Sequence, residues 1–154
     1  MVIVGAGPAG LAAAATLRAH RIDAVLLERG QSLAEPWRAR YDRLHLHTIR
    51  WLSDLPGYRI PTDFGRWVAR DNFVEYLEQY AAYNQPEPRF GVEATCIDRE
   101  NGRWLVRTSP GTISARVVVV ASGYTRAESA AMAWLIRWPD SAFGRVPKSE
   151  ALPR

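Results

Sequence analysis

The sequence is poor in everything that would staple, anchor or metallate a small protein. Cys96 is its single cysteine, so no internal disulfide, Cys-x-x-Cys redox pair or thiolate zinc cluster can form within one chain. That usage fits a reducing compartment. Long apolar runs are missing too. The longest in the middle of the chain, Val117-Val118-Val119-Val120-Ala121, falls far short of the roughly 18 residues that a membrane span requires. Met1 stands directly before Val2-Ile3-Val4, leaving no room for the basic region of a signal sequence. A soluble, cytoplasmic protein with no membrane partner is therefore expected. Histidine is scarce as well. His45 and His47, two apart, would share one face of a strand, but only His20 remains besides them and no acidic cluster stands close. No metal site is expected. Blocks of one charge are absent: the net charge is +4, yet the arginines are scattered among acids, and no basic-aromatic repeat marks a nucleic-acid track.

What is present is an ordinary globular composition, 47% apolar and 23% charged over 154 residues, enough for one domain with a real core. Val2-Ile3-Val4 is a β-branched run that ends on Gly5-Ala6-Gly7-Pro8-Ala9-Gly10. From 8 to about 20 the sequence is alanine-rich and helix-forming. A second buried-strand pattern follows at 23–28 and closes at Gly30. Strand, helix and strand in so few residues make a βαβ unit with parallel strands.

Residues 31–70, rich in Trp, Arg, His and Pro, show no period; a stretch so long predicts a packed, functional segment rather than an idle loop. Asp71 is placed to cap a helix in which Phe73, Leu77, Tyr80 and Ala81 share a face. Tyr76, Tyr80 and Tyr83 have helical spacing and read as packing residues. From 90 the period changes to two. Strands at 90–98 and 103–108 flank Glu100-Asn101-Gly102, and Ser109-Pro110-Gly111 turns toward the apolar strand at 117–121. The expected fold class is α/β: a Rossmann-type domain with a parallel sheet and a small antiparallel β-meander inserted at 90–115. Cys96, inside a strand, reads as an inert buried thiol.

The glycine loop sits where dinucleotide chemistry needs it, after a strand and opening a helix. Gly5 permits the tight turn, Gly7 lets the backbone approach a pyrophosphate, and Gly10 lets helix pack closely on strand. Amide N–H groups and the helix dipole would stabilise the phosphates there. Glu28 ends the second strand at the place of an acid that accepts ribose hydroxyls. A carboxylate there repels a 2′-phosphate and favours FAD or NAD over NADP.

Several segments together carry a likeness: the glycine loop, Leu27-Glu28-Arg29, Pro36-Trp37-Arg38, Tyr41-Asp42-Arg43-Leu44-His45-Leu46-His47-Thr48, the helix from Asp71, and Val119-Val120-Ala121-Ser122-Gly123-Tyr124. They resemble the flavin-containing monooxygenases, above all the branch of the plant YUCCA indole-pyruvate monooxygenases and their bacterial relatives. The resemblance extends over 1 to about 126. It implies an FAD-binding domain at 1–126, with NADPH held in a second domain inserted after the Ala-Ser-Gly segment. The implied chemistry is reduction of the flavin by NADPH and transfer of an oxygen atom to a nucleophilic or carbonyl substrate. By the same resemblance, Gly5, Gly7, Pro8, Ala9, Gly10 and Glu28 would hold the ADP moiety, with Arg29 beside the adenosine. Trp37 and Arg38 would line the flavin side, and His47 and Thr48 would lie near the isoalloxazine ring. Ala94 would offer its backbone to the adenine, and Gly123 would let the chain pass close by. No catalytic residue and no substrate is identified.

Departures from the family accompany the likeness. No second glycine fingerprint follows Gly123. Phe143-Gly144-Arg145-Val146-Pro147-Lys148-Ser149 is similar to the family's Phe-x-Gly-x-x-x-His segment, one residue short and without its histidine. The expectation is a truncated protein with a degraded or disordered tail at 127–154, no NADPH domain, and impaired turnover alone. Two other readings stand beside it: another two-dinucleotide flavoprotein reductase, and a remnant without catalysis.

Overall fold

The computed structural model describes residues 1–123. Everything expected of 124–154, the tail and its Phe143 segment included, lies outside the described residues.

The sheet that positions the site is short and buried. Strand β1 (Val2–Val4) lies between β2 (Val25–Leu27) and β6 (Val118–Val120), parallel to both. Ile3 pairs with Leu26 on one side and with Val119 on the other. The three strands are near-continuous apolar runs because both faces are covered, as parallel sheets require. The period of two sorts their side chains between two cores. Ile3 and Leu26 belong to a cluster with Leu11 and Ala14 of helix α1 (Pro8–Ala19) and with Phe73, Tyr76 and Leu77 of helix α3 (Arg70–Asn84). Val2, Val4 and Leu27 turn the other way, onto Ile97, Val106 and Ala115 of the meander. Each fully buried side chain of this size contributes roughly 1.5–3 kcal/mol.

The meander is antiparallel, in the order β3 (Ala94–Glu100), β4 (Arg103–Thr108) and β5 (Gly111–Ala115). Its first turn is the one the sequence predicts: Asn101 and Gly102 have φ of 49° and 77°, the paired positive values of a type I′ hairpin. The strand expected from 90 begins at Ala94 instead. Residues 89–92 are held by the edge of the parallel sheet, where Arg89 N donates to Leu26 O at 2.8 Å and Val92 N to Glu28 O at 2.9 Å. Arg89 and Leu27 form a parallel bridge, so the chain touches β2 before Gly91, at φ 68°, turns it into the meander.

Between Gly30 and helix α3 the chain forms a four-residue helix α2 (Glu35–Arg38) and two single 3-10 turns, at Arg50–Leu52 and Thr62–Phe64. Most of this stretch is tied down by α3. The Tyr76 hydroxyl donates to Tyr58 O and accepts from Leu55 N, both at 2.6 Å, while Tyr80 donates to Pro56 O at 3.1 Å. Burial pushes the Tyr76 phenol up to about 12. Three details differ from the sequence reading. Helix α3 starts after Ala69, not at an Asp71 cap, because the backbone reaches Ala69 paired with His45 and Arg70 N donates to Leu44 O at 2.8 Å. Tyr83 is 67% exposed and only leans on Tyr58, whereas Tyr76 and Tyr80 are fully buried. Cys96 is half-buried, with Sγ 3.4 Å from an Asp98 carboxylate oxygen.

Candidate functional site

The glycine loop is built by three different constraints. Gly5 adopts φ +100°, and a Cβ there would stand 2.5 Å from the carbonyl oxygen of Ala121. A Cβ on Gly10 would fall 1.8 Å from Gly5 O, so the helix can sit this close to the loop only if residue 10 is glycine. Gly7 differs from both: a Cβ there would meet nothing within 4 Å. Gly5 and Gly10 are required by the fold, whereas the space above Gly7 is cavity. Helix α1 begins with Pro8, which gives up no needed donor at that position. The N–H groups of Ala9 and Gly10, in its first turn, have no partner inside the helix and stand at the positive end of its dipole.

Glu28 follows β2 directly. One carboxylate oxygen accepts from Ala6 N at 2.7 Å and the other from Gly30 N at 2.8 Å. These charge-assisted bonds fasten the glycine loop to the turn after β2. A carboxylate has about four acceptor positions, so two bonds leave capacity for hydroxyl donors from a ligand.

Loop and carboxylate form one wall of a cavity of about 830 Å³, at the upper end of the volumes that hold cofactors and drug-sized ligands. Of the residues expected at the site, Gly5, Gly7, Pro8, Ala9, Glu28, Arg29, Trp37, His47, Ala94 and Gly123 line it. Gly10 lies beneath the loop. Arg38 and Thr48 are turned elsewhere. Arg38 pairs with Glu78 of α3 and donates to Leu33 O. Thr48 shares a hydrogen bond of 2.6 Å with Ser53. Trp37 has two neighbours, for its ring also meets Phe73 edge-on at 4.6 Å between centroids.

The sequence reading missed part of the lining. Arg40, Tyr41, His45 and Glu93 reach the cavity without having been assigned to it; Tyr41 and His45 stand in the segment that carries the likeness, whereas Glu93 had only its closeness to Ala94 to mark it. Ser122 also lines it, and its buried hydroxyl oxygen has no hydrogen-bond partner. An orphan polar atom on a cavity wall is costly unless a ligand completes it. Among the described residues no group of three His, Cys, Asp or Glu could hold a metal ion, and no helix is long and apolar enough to cross a membrane.

A parallel sheet, a glycine turn feeding a helix and an acid closing the second strand define a dinucleotide-binding domain. Comparison with known proteins narrows the class. Residues 2–131 match the pyridine nucleotide-disulphide oxidoreductase family, and the chain belongs to that family. It is 48% identical over 126 residues to the indole-3-pyruvate monooxygenase YUCCA1 of Oryza sativa subsp. japonica, with 79% of this chain and 31% of that protein covered. Among solved structures it is similar to the flavin-containing monooxygenase from Stenotrophomonas maltophilia, at 28% identity and a TM-score of 0.73, covering 80% of this chain and 39% of that one. The bacillithiol disulfide reductase from Staphylococcus aureus has a similar TM-score of 0.72 at 19% identity, with 80% and 38% covered; that likeness is one of fold alone. The chain therefore resembles the N-terminal, FAD-binding part of flavin monooxygenases and spans about a third of the relatives' length.

Proposed function

We propose that this chain is the FAD-binding part of an NADPH-dependent flavin monooxygenase. The observation that carries the reading is the cavity itself, which runs from Gly7 and Glu28 past Trp37 to His47. Its walls suit the successive parts of FAD. The amides of Ala9 and Gly10 and the dipole of α1 would take the pyrophosphate. Glu28, held in place by Ala6 N and Gly30 N, would accept the ribose hydroxyls. Arg29 and the backbone of Ala94 would flank the adenosine, Ser122 would offer its free hydroxyl, and Trp37 and His47 would border the flavin. Arg38 and Thr48 would act at one remove, by anchoring α2 to α3 and residue 48 to Ser53. Bound flavin would supply the redox chemistry, taking a hydride from NADPH and activating oxygen for transfer. Substrates such as indole-3-pyruvate belong to relatives of which this chain covers about a third and come to this chain only by that likeness.

A disulfide reductase shares the fold, at 19% identity; the monooxygenase reading is favoured because the chain is 48% identical over 126 residues to an indole-3-pyruvate monooxygenase.

The domain read at 1–126 would supply one dinucleotide crevice. Hydride transfer requires a second nucleotide held against the flavin within van der Waals reach, and loss of such positioning costs many orders of magnitude in rate. The 154-residue chain by itself is therefore expected to bind FAD yet show negligible NADPH-dependent oxygenation. The test is a steady-state assay with ketoacid, thioether and amine substrates that follows NADPH loss and product together. Coupled turnover at roughly one per second or faster, ordinary for an enzyme, would contradict it.

A further inference from the structure

Beside the main cavity lies a second, shallower hollow lined by His45, Leu46, His47, Arg66 and Trp67. Its residues are brought together by backbone pairing. Two extended segments run antiparallel, with Leu46 N donating to Val68 O at 2.9 Å, Arg70 N to Leu44 O at 2.8 Å and Arg50 N to Arg66 O at 2.9 Å. Alternation along such a ribbon sends successive side chains to opposite sides. Leu46 and Val68 go inward, to the core cluster. His45, His47 and Trp67 go outward, and Trp67 remains 49% exposed.

The hollow has a definite chemistry, for Arg66, though of the same parity as Val68, is exposed and reaches over the Trp67 ring into it. No carboxylate lines the hollow. Arg66 takes part in none of the ion pairs formed among the described residues. Its guanidinium carbon stands 5.7 Å from the centroid of the Trp67 ring, a cation–π distance. That contact steadies the donor fork, a shape that matches the two oxygens of a carboxylate or phosphate. His45 is partly committed, since its Nδ1 lies 3.0 Å from Arg43 O and must donate to that carbonyl. Arg66 and His47 are left as the donors, with the indole as an apolar floor. The hollow and the main cavity share His45, Leu46 and His47, so a ligand in one would touch the same residues as a ligand in the other.

We infer that this hollow is an oxyanion subsite at the mouth of the cavity, where Arg66 and His47 take the carboxylate or phosphate of the second reactant and Trp67 supports its planar part. The inference rests on the proposed function only for what fills the adjoining cavity. The two parts of the continuous surface differ in charge: the cavity wall carries both carboxylates and guanidiniums, Glu28 and Glu93 with Arg29 and Arg40, whereas Arg66 stands in the hollow with no carboxylate beside it and attracts anions there.

The test is a calorimetric titration of the 154-residue chain, with and without FAD, using benzoate, inorganic pyrophosphate and neutral benzamide as probes. FAD binding is followed in the same samples by flavin absorbance, so a failure to bind flavin is read apart from a failure to bind anion. Benzoate is expected to bind at least about tenfold more tightly than benzamide. In Arg66→Ala that preference is expected to be lost, and in Arg66→Lys to be partly kept. Where flavin is bound, benzoate should also perturb its spectrum through the shared histidines. Arg66-dependent binding of pyrophosphate in place of benzoate would support the same subsite with a phosphate source. Binding of neither anion, equal binding of benzamide, or anion affinity unchanged in Arg66→Ala would overturn it.

Discussion

At the scale of single residues, the glycine loop separates demands of folding from demands of binding. Gly10 and Gly5 sit against backbone, with would-be Cβ atoms at 1.8 and 2.5 Å from carbonyl oxygens. Gly10→Ala is therefore expected to abolish stable folding, seen as loss of a cooperative thermal transition. Gly7 has extended backbone at φ −71° and open space above it. Gly7→Val should melt within a few degrees of the parent protein while losing FAD affinity by at least about tenfold, or roughly 1.4 kcal/mol. Paired thermal melts and flavin titrations check both, and unaltered flavin affinity in Gly7→Val would remove the pyrophosphate from this loop. Glu28 joins the two demands. Glu28→Gln turns an amide N–H₂ toward one of the two backbone donors it now satisfies, and a buried donor left unmatched costs about 1–3 kcal/mol. Both the melting temperature and FAD affinity should fall, a joint loss that Gly7→Val does not share.

At the scale of elements, α3 is the clamp that holds the irregular segment against the cavity. Tyr76 makes both hydrogen bonds its hydroxyl can offer to residues 55 and 58. Tyr76→Phe should destabilise by about 1–3 kcal/mol, because Leu55 N loses its acceptor inside the fold. The tyrosine also sets an alkaline limit. Its phenol is raised by burial from 10.0 to about 12, so the folded state holds this proton more tightly than the unfolded chain. The stability it contributes is full below pH 10 and falls as pH rises toward 12. Denaturant midpoints measured across that window should drop, and less steeply in Tyr76→Phe. Tyr80, also raised by burial, contributes in the same direction. An equal slope in both proteins would refute the assignment to Tyr76.

The elements also show what periodicity reveals and what it hides. Strands β1, β2 and β6, helix α1 and the Asn101-Gly102 turn were legible because local chemistry alone decides them. The start of α3 was not, for it is set by pairing of Ala69 with His45, a partner 24 residues away in a segment without period. Residues 90–92 read as the start of the meander's first strand, whereas they follow an edge pairing with β2 that is a tertiary choice. The candidate site follows the same division. Gly7 and Glu28, both on the cavity wall, were marked by a motif with a mechanism, and Gly123, also there, by the family likeness. The outward aim of Arg38 toward Glu78, and the presence of Arg40, Glu93 and Ser122 on the cavity wall, depend on how distant segments pack.

At the scale of the whole molecule, two cores share one thin sheet, and the cavity opens where the carboxyl ends of its strands meet the glycine loop and the start of α1. That is where open α/β sheets place their ligands. The fold by itself does not choose the chemistry, since a disulfide reductase and a monooxygenase both overlay on it. The proposed choice rests on likeness, 48% identity over 126 residues to an indole-3-pyruvate monooxygenase against 19% to the reductase. The central claim is that this cavity takes FAD in preference to a 2′-phosphorylated dinucleotide. The most direct measurement is a calorimetric titration of the purified 154-residue chain with FAD and, separately, with NADP⁺, its folding confirmed by circular dichroism. One FAD per chain, bound more tightly than NADP⁺ by at least about tenfold, a difference near 1.4 kcal/mol, is the predicted result. A folded chain that takes up no FAD, or that binds NADP⁺ more tightly, would contradict it.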